Sequence, residues 1–179
     1  MGRPKALVEL DGEPLVRRAL RVLADGGCAP LVVVLGAAAP DVRAVLPDGP
    51  HVVEAADWAT GMGASLRAGL AALPALAPEA DAALVHLVDL PGITAAAVAR
   101  LVAPPTGPDV LRRAAYGGRP AHPALLGRVH WAAVHDAAVG DAGARAYLRD
   151  HPDAGLVECG DVAVPDDVDT PEALARWTP

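Results

Sequence analysis

The sequence predicts an α/β protein in which helices cover both faces of a doubly wound, mostly parallel sheet. Short apolar runs bounded by turn residues alternate with segments whose apolar residues recur at helical spacing. The runs at 31–35 and 82–88 are mostly aliphatic, as is typical of strands buried on both faces of a parallel sheet. Neither a repeat nor a linker interrupts this alternation, so one domain over residues 1–179 is expected.

Each element is predicted from spacing and from its start and stop signals. Strands are expected at 31–35, 51–54, 82–89, 110–116, 124–126, 155–159 and 162–164. Helices are expected from Glu13-Pro14 to Gly26-Gly27, over 41–46, from Gly61–Gly63 to about Leu73, over 94–102 and 128–138, from Gly140–Gly143 to near Asp150, and from Pro171 onward, with Asp169 or Thr170 as its cap.

Composition and charge exclude several classes of partner. The net charge is −7 and no Lys/Arg cluster occurs, which argues against a nucleic-acid polymer or an anionic membrane. The longest uncharged stretch, 26–40, is shorter than the roughly 18 residues of a membrane span. Charged residues near the start argue against a signal peptide, and Cys28 and Cys159 are too far apart for a metal motif. A cytoplasmic protein with reduced thiols is expected.

Asp89 is the first candidate functional residue. It ends the predicted strand at 82–89 and precedes a Pro-Gly turn. In open α/β sheets ligands bind beyond the carboxyl ends of the strands, so this carboxylate is expected to point into a binding crevice. By itself the position is equally well explained by a cap of the following turn or helix.

A glycine-containing loop, Gly61-Met62-Gly63, leads into the next candidate segment. The first N–H groups of the helix that follows are unpaired and can hold an anion or a base edge, with Ser65 in the first turn. The alternative is an ordinary loop in which Ser65 caps the helix.

Five motifs occur together in a recognisable order. They are Met1-Gly2-Arg3-Pro4-Lys5, Gly61–Leu70, Val88-Asp89-Leu90-Pro91, Gly140-Asp141-Ala142-Gly143-Ala144-Arg145 and Asp167-Val168-Asp169-Thr170-Pro171. The chain resembles the MobA-like nucleotidyltransferase superfamily over its whole length, and in particular its molybdenum cofactor cytidylyltransferase (MocA-like) branch. The resemblance implies a Rossmann-like sheet of the nucleotide-diphospho-sugar transferase type.

The resemblance also implies a missing segment. Members of the family begin with a hydrophobic strand and a loop of pattern L-A-A-G-x-G-x-R-M-G-x-x-K, whereas this chain begins at the Met of that pattern. In the family the strand lies beside the one that ends at Asp89. Without it, strand edges are expected to carry unpaired backbone groups, each costing about 1–3 kcal/mol if buried. We therefore expect the natural reading frame to start upstream.

The activity implied by the resemblance is transfer of CMP from CTP to the phosphate of a molybdopterin cofactor, with release of pyrophosphate. Lys5 would neutralise the triphosphate, and Asp89 and Asp169 would bind Mg²⁺. Two carboxylates about 4 Å apart repel by roughly 4 kcal/mol at an effective dielectric of 20, so such a pair calls for a cation. Asp169 is preferred to Asp167 because it occupies the Asp-Thr-Pro position of the family.

Other residues are assigned to the two substrates by the same resemblance. Gly61, Gly63 and Ser65 match the segment that reads base and ribose. Gly118, His122 and Asp141 match elements on the acceptor side. A histidine before proline can instead be structural, and Asp141 can instead cap a helix.

Three alternatives to CTP-dependent transfer remain open at this stage. One is the use of GTP, the second is another phosphorylated acceptor, and the third is an inactive homologue that binds the cofactor without turnover. If the protein transfers CMP to a molybdopterin cofactor, the implied protein partner is a molybdoenzyme or its chaperone.

Overall fold

The computed structural model describes residues 4–177. Within this range the helices are α1 (Leu15–Asp25), α2 (Ala39–Ala44), α3 (Met62–Leu76), α4 (Ala95–Val102), α5 (Trp131–Ala137), α6 (Arg145–Asp150) and α7 (Pro171–Ala175). The strands are β1 (Glu9–Leu10), β2 (Glu13–Pro14), β3 (Val32–Leu35), β4 (His51–Glu54), β5 (Ala82–Val85), β6 (Leu111–Tyr116), β7 (Arg119–Gly127) and β8 (Gly155–Glu158). Single 3₁₀ turns lie at Lys5–Leu7, Trp58–Thr60 and Arg128–His130.

The largest sheet has four strands in the order β5-β7-β6-β8. The antiparallel strand β7 lies between β5 and β6, and β8 is parallel to β6, so β5, β6 and β8 run in the same direction. Strands β3 and β4 form a separate parallel pair, and β1 and β2 form a small hairpin. The sheet is therefore mixed. Among the described residues three of the five strand pairs are antiparallel, namely the hairpin and the two pairs that β7 forms where it returns between β5 and β6, whereas the sequence predicted a mostly parallel sheet.

Helices pack on both faces of the four-stranded sheet. Leu84 of β5 packs against a cluster that contains Val98 of α4, whereas its neighbour Ala83 packs against a cluster that contains Leu70 of α3. This alternation follows from the two-residue period of a strand, which sends successive side chains to opposite faces. The predicted α/β architecture is confirmed. Across residues 4–177 the helices are too short or too polar to cross a membrane.

A cleft of about 820 Å³ lies between β3 and β5. Among the described residues β3 pairs only with β4 and β5 only with β7, so the second edge of each strand faces the cleft without a strand partner. Val33 and Leu84 line the cleft from the two strands, and Leu20 of α1 and Leu66 of α3 line it from the helices. The width of the cleft therefore separates two strand edges that have no strand partner among residues 4–177.

The strand before Asp89 is shorter than predicted. β5 ends at Val85, and Asp89 lies in a turn four residues later. Residues 86–88 have no strand partner among the described residues, because the ladder with β7 ends at the pair Val85 and Ala124 and the next β7 residue, Pro123, has no N–H to donate. Ladder hydrogen bonds, rather than apolar character, determine where a strand ends.

Two other boundaries differ from the prediction. Residues 119–123 belong to β7 instead of a loop, because Gly117 and Gly118 adopt positive φ angles of 58° and 75° and close a two-residue turn. Residues 162–164 form a loop instead of a strand, since the N–H of Ala163 donates to the carbonyl of Cys159 at 2.9 Å in a local turn.

Candidate functional site

Three segments that are distant in sequence meet beyond the carboxyl end of β5. Lys5 begins the first 3₁₀ turn, Asp89 lies in the turn after β5, and Asp169 precedes α7. The Lys5 ammonium donates a hydrogen bond to Asp89 Oδ2 at 2.8 Å and another to Asp169. The structure thus brings together the lysine and the two carboxylates that the sequence assigned to catalysis and metal binding.

Asp169 is held in place by the residues on either side of it. The N–H of Val168 donates to the carbonyl of Asp89 at 2.9 Å, and the Val168 side chain is fully buried. Thr170 caps α7, its hydroxyl accepting a hydrogen bond from Ala173 N–H at 3.2 Å. These anchors place the Asp169 carboxylate next to Lys5.

A third carboxylate, Asp167, adds negative charge to the cluster. Burial raises the pKa of Asp167, as do the charge and hydrogen bond of Asp169. The pKa of Asp169 is lowered, chiefly by its hydrogen bond to Lys5. Burial alone would lower the pKa of Lys5, but the hydrogen bonds and charges of Asp169 and Asp89 outweigh it and raise that pKa. The Lys5 ammonium therefore contacts two carboxylates, and a third, Asp167, lies beside Asp169, which favours a further cation.

The carboxylates fit a divalent ion whose other ligands are phosphate oxygens and water. Asp89 and Asp169 already share one cation, the Lys5 ammonium. Mg²⁺ is commonly bound by one or two carboxylates together with substrate phosphates. In the described part of the chain no three His, Cys, Asp or Glu side chains form a ready-made metal site. A metal ion here would therefore depend on a bound nucleotide for its remaining ligands.

The N-terminus of α3 is bound by a neighbouring loop. Gly63 N–H donates to Gly140 O at 2.7 Å, and Met62 N–H donates to Asp141 Oδ1 at 3.2 Å. Asp141 thus caps α3, which matches the alternative that the sequence left open for it. The N–H groups of Met62 and Gly63, in the segment assigned to the nucleotide, therefore already donate hydrogen bonds to other residues of the protein.

Close backbone contact explains why glycine is needed at the start of α3. A Cβ atom on Gly61 would lie 2.6 Å from the carbonyl carbon of Gly140, and one on Gly63 would lie 2.7 Å from the carbonyl oxygen of Ala138. Gly61 also has a φ of 121°. Gly61, Gly63 and Asp141 therefore belong to one contact between the start of α3 and the loop at 138–141.

Ser65 lies one turn further along α3 and lines the cleft. Its hydroxyl makes no hydrogen bond to any residue in the range 4–177, so it can bind a ligand. Arg67, by contrast, has protein partners. Its guanidinium donates to Asp57 at 2.8 Å and to the carbonyl of Ala138.

The two residues predicted on the acceptor side lie in different places. His122 of β7 lines the cleft, and its Nδ1 lies 3.4 Å from the carbonyl oxygen of Val85. The backbone carbonyl of His122 accepts a hydrogen bond from the Tyr116 hydroxyl at 3.0 Å. Gly118 lies in the exposed turn before β7, where its N–H donates to Glu158 Oε2 at 2.9 Å. The structure brings His122, but not Gly118, to the cleft.

Two polar residues of the cleft were not identified from the sequence. His86 Nδ1 and Arg113 Nε are buried and have no hydrogen-bond partner within the described residues. Burial, followed by the charge of His122, lowers the pKa of His86 to about 4. His86 interrupts the apolar run 82–88, and this interruption is the signal that could have identified it, whereas Arg113, which follows Arg112, carries no such local signal.

Known proteins resemble this chain over nearly its full length. It is 38% identical to nicotine blue oxidoreductase of Paenarthrobacter nicotinovorans over 186 residues, covering 98% of this chain and 89% of that protein. The crystal structure of the Rv0371c homolog from Mycobacterium sp. strain JC1 has a TM-score of 0.81 and 28% identity, covering 99% of this chain and 89% of that one. The manganese complex of Rv0371c from Mycobacterium tuberculosis H37Rv has a TM-score of 0.76 and 27% identity, covering 97% and 90%.

The family assignment comes from a match over most of the chain. The model of the MobA-like NTP transferase domain matches residues 1–155, a range that includes Lys5, Ser65 and Asp89, whereas Asp169 lies beyond it. The fold is that of the Rossmann-like nucleotide-diphospho-sugar transferases. The chain belongs to the MobA-like NTP transferase family.

Proposed function

We propose that this protein is a Mg²⁺-dependent nucleotidyltransferase that transfers CMP from CTP to the phosphate of a molybdopterin cofactor and releases pyrophosphate. The observation that carries the proposal is the cluster of Lys5, Asp89 and Asp169 beside the cleft. Family membership supports nucleotidyl transfer in general. The sequence resemblance to cytidylyltransferases supports CTP and the molybdopterin acceptor.

The reaction forms one phosphorus–oxygen bond and breaks another. An oxygen of the acceptor phosphate attacks the α-phosphorus of the nucleotide, and the bond from that phosphorus to the bridging oxygen breaks. The electron pair leaves with pyrophosphate. Such phosphoryl chemistry depends on positioning and on neutralisation of negative charge more than on covalent catalysis.

Lys5, Asp89 and Asp169 have complementary roles in this scheme. Lys5, whose pKa is raised, stays cationic at neutral pH and neutralises the triphosphate and the departing pyrophosphate. Asp89 and Asp169 hold the divalent ion, which would supply Lewis-acid stabilisation of phosphate oxygens. The manganese complex of Rv0371c supports a divalent ion in this fold.

The remaining predicted contacts divide into two groups. Ser65 is the donor to the nucleotide that agrees best with the geometry, since it lines the cleft with a free hydroxyl. His122 is the corresponding residue for the acceptor. Gly61, Gly63, Gly118 and Asp141 stay predictions from resemblance, and their backbone contacts also give them a structural role.

A pyrophosphate-release assay tests the proposal. The protein is incubated with Mg²⁺, molybdenum cofactor and each of the four nucleoside triphosphates, and CTP is expected to support the fastest release. Asp89→Asn is expected to abolish turnover, whereas Asp48→Asn, a change of an exposed loop carboxylate, should leave it intact. Preference for GTP would reject cytidylyl transfer, and full activity of Asp89→Asn would reject the metal-binding role.

A second candidate function is suggested by the relative with the oxidoreductase name. Identity of 38% over 98% of this chain makes reduction of an aromatic substrate a defined alternative. The test is loss of nicotine blue absorbance in the presence of a reduced nicotinamide dinucleotide, without divalent metal. Activity in that assay, together with no pyrophosphate release from any triphosphate, would favour the oxidoreductase.

A further inference from the structure

One wall of the cleft is basic. Arg113 of β6, Arg145 at the start of α6, and His122 of β7 all line it, as does His86. The four side chains are close in space. Burial, followed by the charge of Arg145, lowers the pKa of Arg113, and the charges of both arginines contribute to the lowered pKa of His122.

The two arginines of this wall have no carboxylate partner within residues 4–177. Arg43, for comparison, pairs with Glu54 at 2.6 Å. Across residues 4–177, neither Arg113 nor Arg145 forms an ion pair with a carboxylate, and Nε of Arg113 is buried without a hydrogen bond. A buried cationic group without a partner is costly, and a bound anion would offset that cost.

Carboxylates line the same cleft as the basic wall. Asp89 and Asp167 are among its lining residues, and the charge of Asp89 acts on both His86 and His122. The guanidinium groups of Arg113 and Arg145 provide the positive charge for an anion that carries no metal ion, whereas the carboxylates provide ligands for a metal-bound triphosphate.

We infer that Arg113 and Arg145 bind the phosphate group of the acceptor substrate on the basic wall of the cleft. This assignment rests on the nucleotidyl transfer proposed above and makes the acceptor a phosphomonoester. Guanidinium groups form paired N–H···O bonds with phosphate oxygens, and a phosphate of nearly two negative charges balances two arginines.

The histidines contribute hydrogen bonds rather than charge. The pKa of His86 is about 4, and burial holds the pKa of His122 below its ordinary value, so both rings are neutral at pH 7. His86 lines the cleft, and its Nδ1 is buried without a hydrogen-bond partner among the described residues.

Binding of phosphate in the absence of nucleotide tests the assignment. Inorganic phosphate, and then glycerol 3-phosphate, is titrated calorimetrically into the full chain in EDTA. Arg113→Gln and Arg145→Gln are each expected to weaken binding about ten- to a hundredfold, the loss typical of a hydrogen bond to a charged group. Arg17→Gln, which changes an exposed arginine of α1, is the matched control and should bind as the wild type does.

A thermal measurement separates binding from folding. Because Nε of Arg113 is buried without a partner among the described residues, Arg113→Gln is expected to unfold at or above the wild-type temperature in the absence of phosphate. Phosphate should raise the melting temperature of the wild type but not of the variant. If Arg113→Gln fails to fold, Arg145→Gln carries the test, since Arg145 is exposed.

Three results would overturn the inference. They are the absence of millimolar phosphate binding by the wild type, unchanged affinity in both arginine variants, and loss of binding confined to Lys5→Gln. The proposed function fails separately. Arginine-dependent phosphate binding without pyrophosphate release would reject nucleotidyl transfer, and CTP turnover with arginine-independent phosphate binding would reject the arginine site alone.

Discussion

The Nζ atom of Lys5 lies 2.8 Å from Oδ2 of Asp89, although 84 residues separate the two along the chain. Lys5 is also the only lysine among 15 cationic Lys and Arg residues. A compact ammonium group thus contacts Asp89 and Asp169, with Asp167 beside them, while arginines form other ion pairs with carboxylates of residues 4–177. An amine-reactive reagent can therefore modify no lysine side chain other than Lys5.

Modification of the lone lysine is expected to inactivate the enzyme. An amine-reactive acetylating reagent should modify one side chain, Lys5, and lower kcat about 10²–10³-fold, the range for loss of one electrostatic donor in an active site. CTP with Mg²⁺ should protect Lys5. Mass spectrometry locates the modification, and acetylation confined to the α-amino group is the internal control. Full turnover with Lys5 acetylated would contradict the assigned role.

Asp167→Asn is expected to stabilise the protein at pH 7 and to have no effect in acid. The pKa of Asp167 is raised in the folded state, so its ionisation lowers stability as the pH rises through that pKa. Below the unfolded pKa, near 3.8, the carboxyl is protonated in both states and the variant has no advantage. Thermal denaturation should show a gain of about 1–2 °C at pH 7.

Asp169 provides the opposite control for that experiment. Its pKa is lowered in the folded state, so its contribution to stability is present above the unfolded value of 3.8 and is lost as the pH falls through the folded value. Asp169→Asn should therefore destabilise at pH 7 and become neutral in acid. Identical pH profiles for the two variants would contradict the charge distribution of the cluster.

Asp141→Ala is expected to destabilise the protein by about 0.5–2 kcal/mol, because the carboxylate accepts from Met62 N–H at the start of α3. Urea denaturation measures the loss. Asp141→Asn retains an acceptor oxygen and should lose less, and Asp48→Ala, in an exposed loop, should change nothing. A higher KM for the acceptor with unchanged stability would instead support the substrate role assigned from sequence.

An apolar strand added before residue 1 is expected to join the two sheets. A six-residue extension of valine, leucine and alanine with a short glycine-rich loop should enter the cleft between β3 and β5 and slow amide exchange at Val33 and Leu84. A glycine-serine extension of equal length is the control. The extension should leave phosphate binding at Arg113 intact, because that wall belongs to β6. Unchanged exchange would show that the cleft does not accept a strand.

Much of the fold follows from local patterns in the chain. The apolar runs at 32–35 and 51–54, and the threonine caps at Thr94 and Thr170, have the predicted structure because backbone propensity and side-chain capping act over a few residues. The order of motifs was sufficient to name the family. The position of Asp89 at the end of an apolar run and the order of the motifs also predicted Asp89 and Asp169 as metal ligands.

Only the tertiary structure decided which chemical groups face one another. Asp141 accepts a hydrogen bond from the start of α3, whereas Asp89 accepts one from Lys5. The sequence does not show this difference, because both residues are aspartates near glycine or proline. Arg113 became a candidate binding residue because its Nε is buried without a hydrogen-bond partner among the described residues. Such partners come from segments far along the chain, so the sequence does not show whether they are present. Burial and long-range charge decide such roles, and both depend on how the sheets and helices pack together.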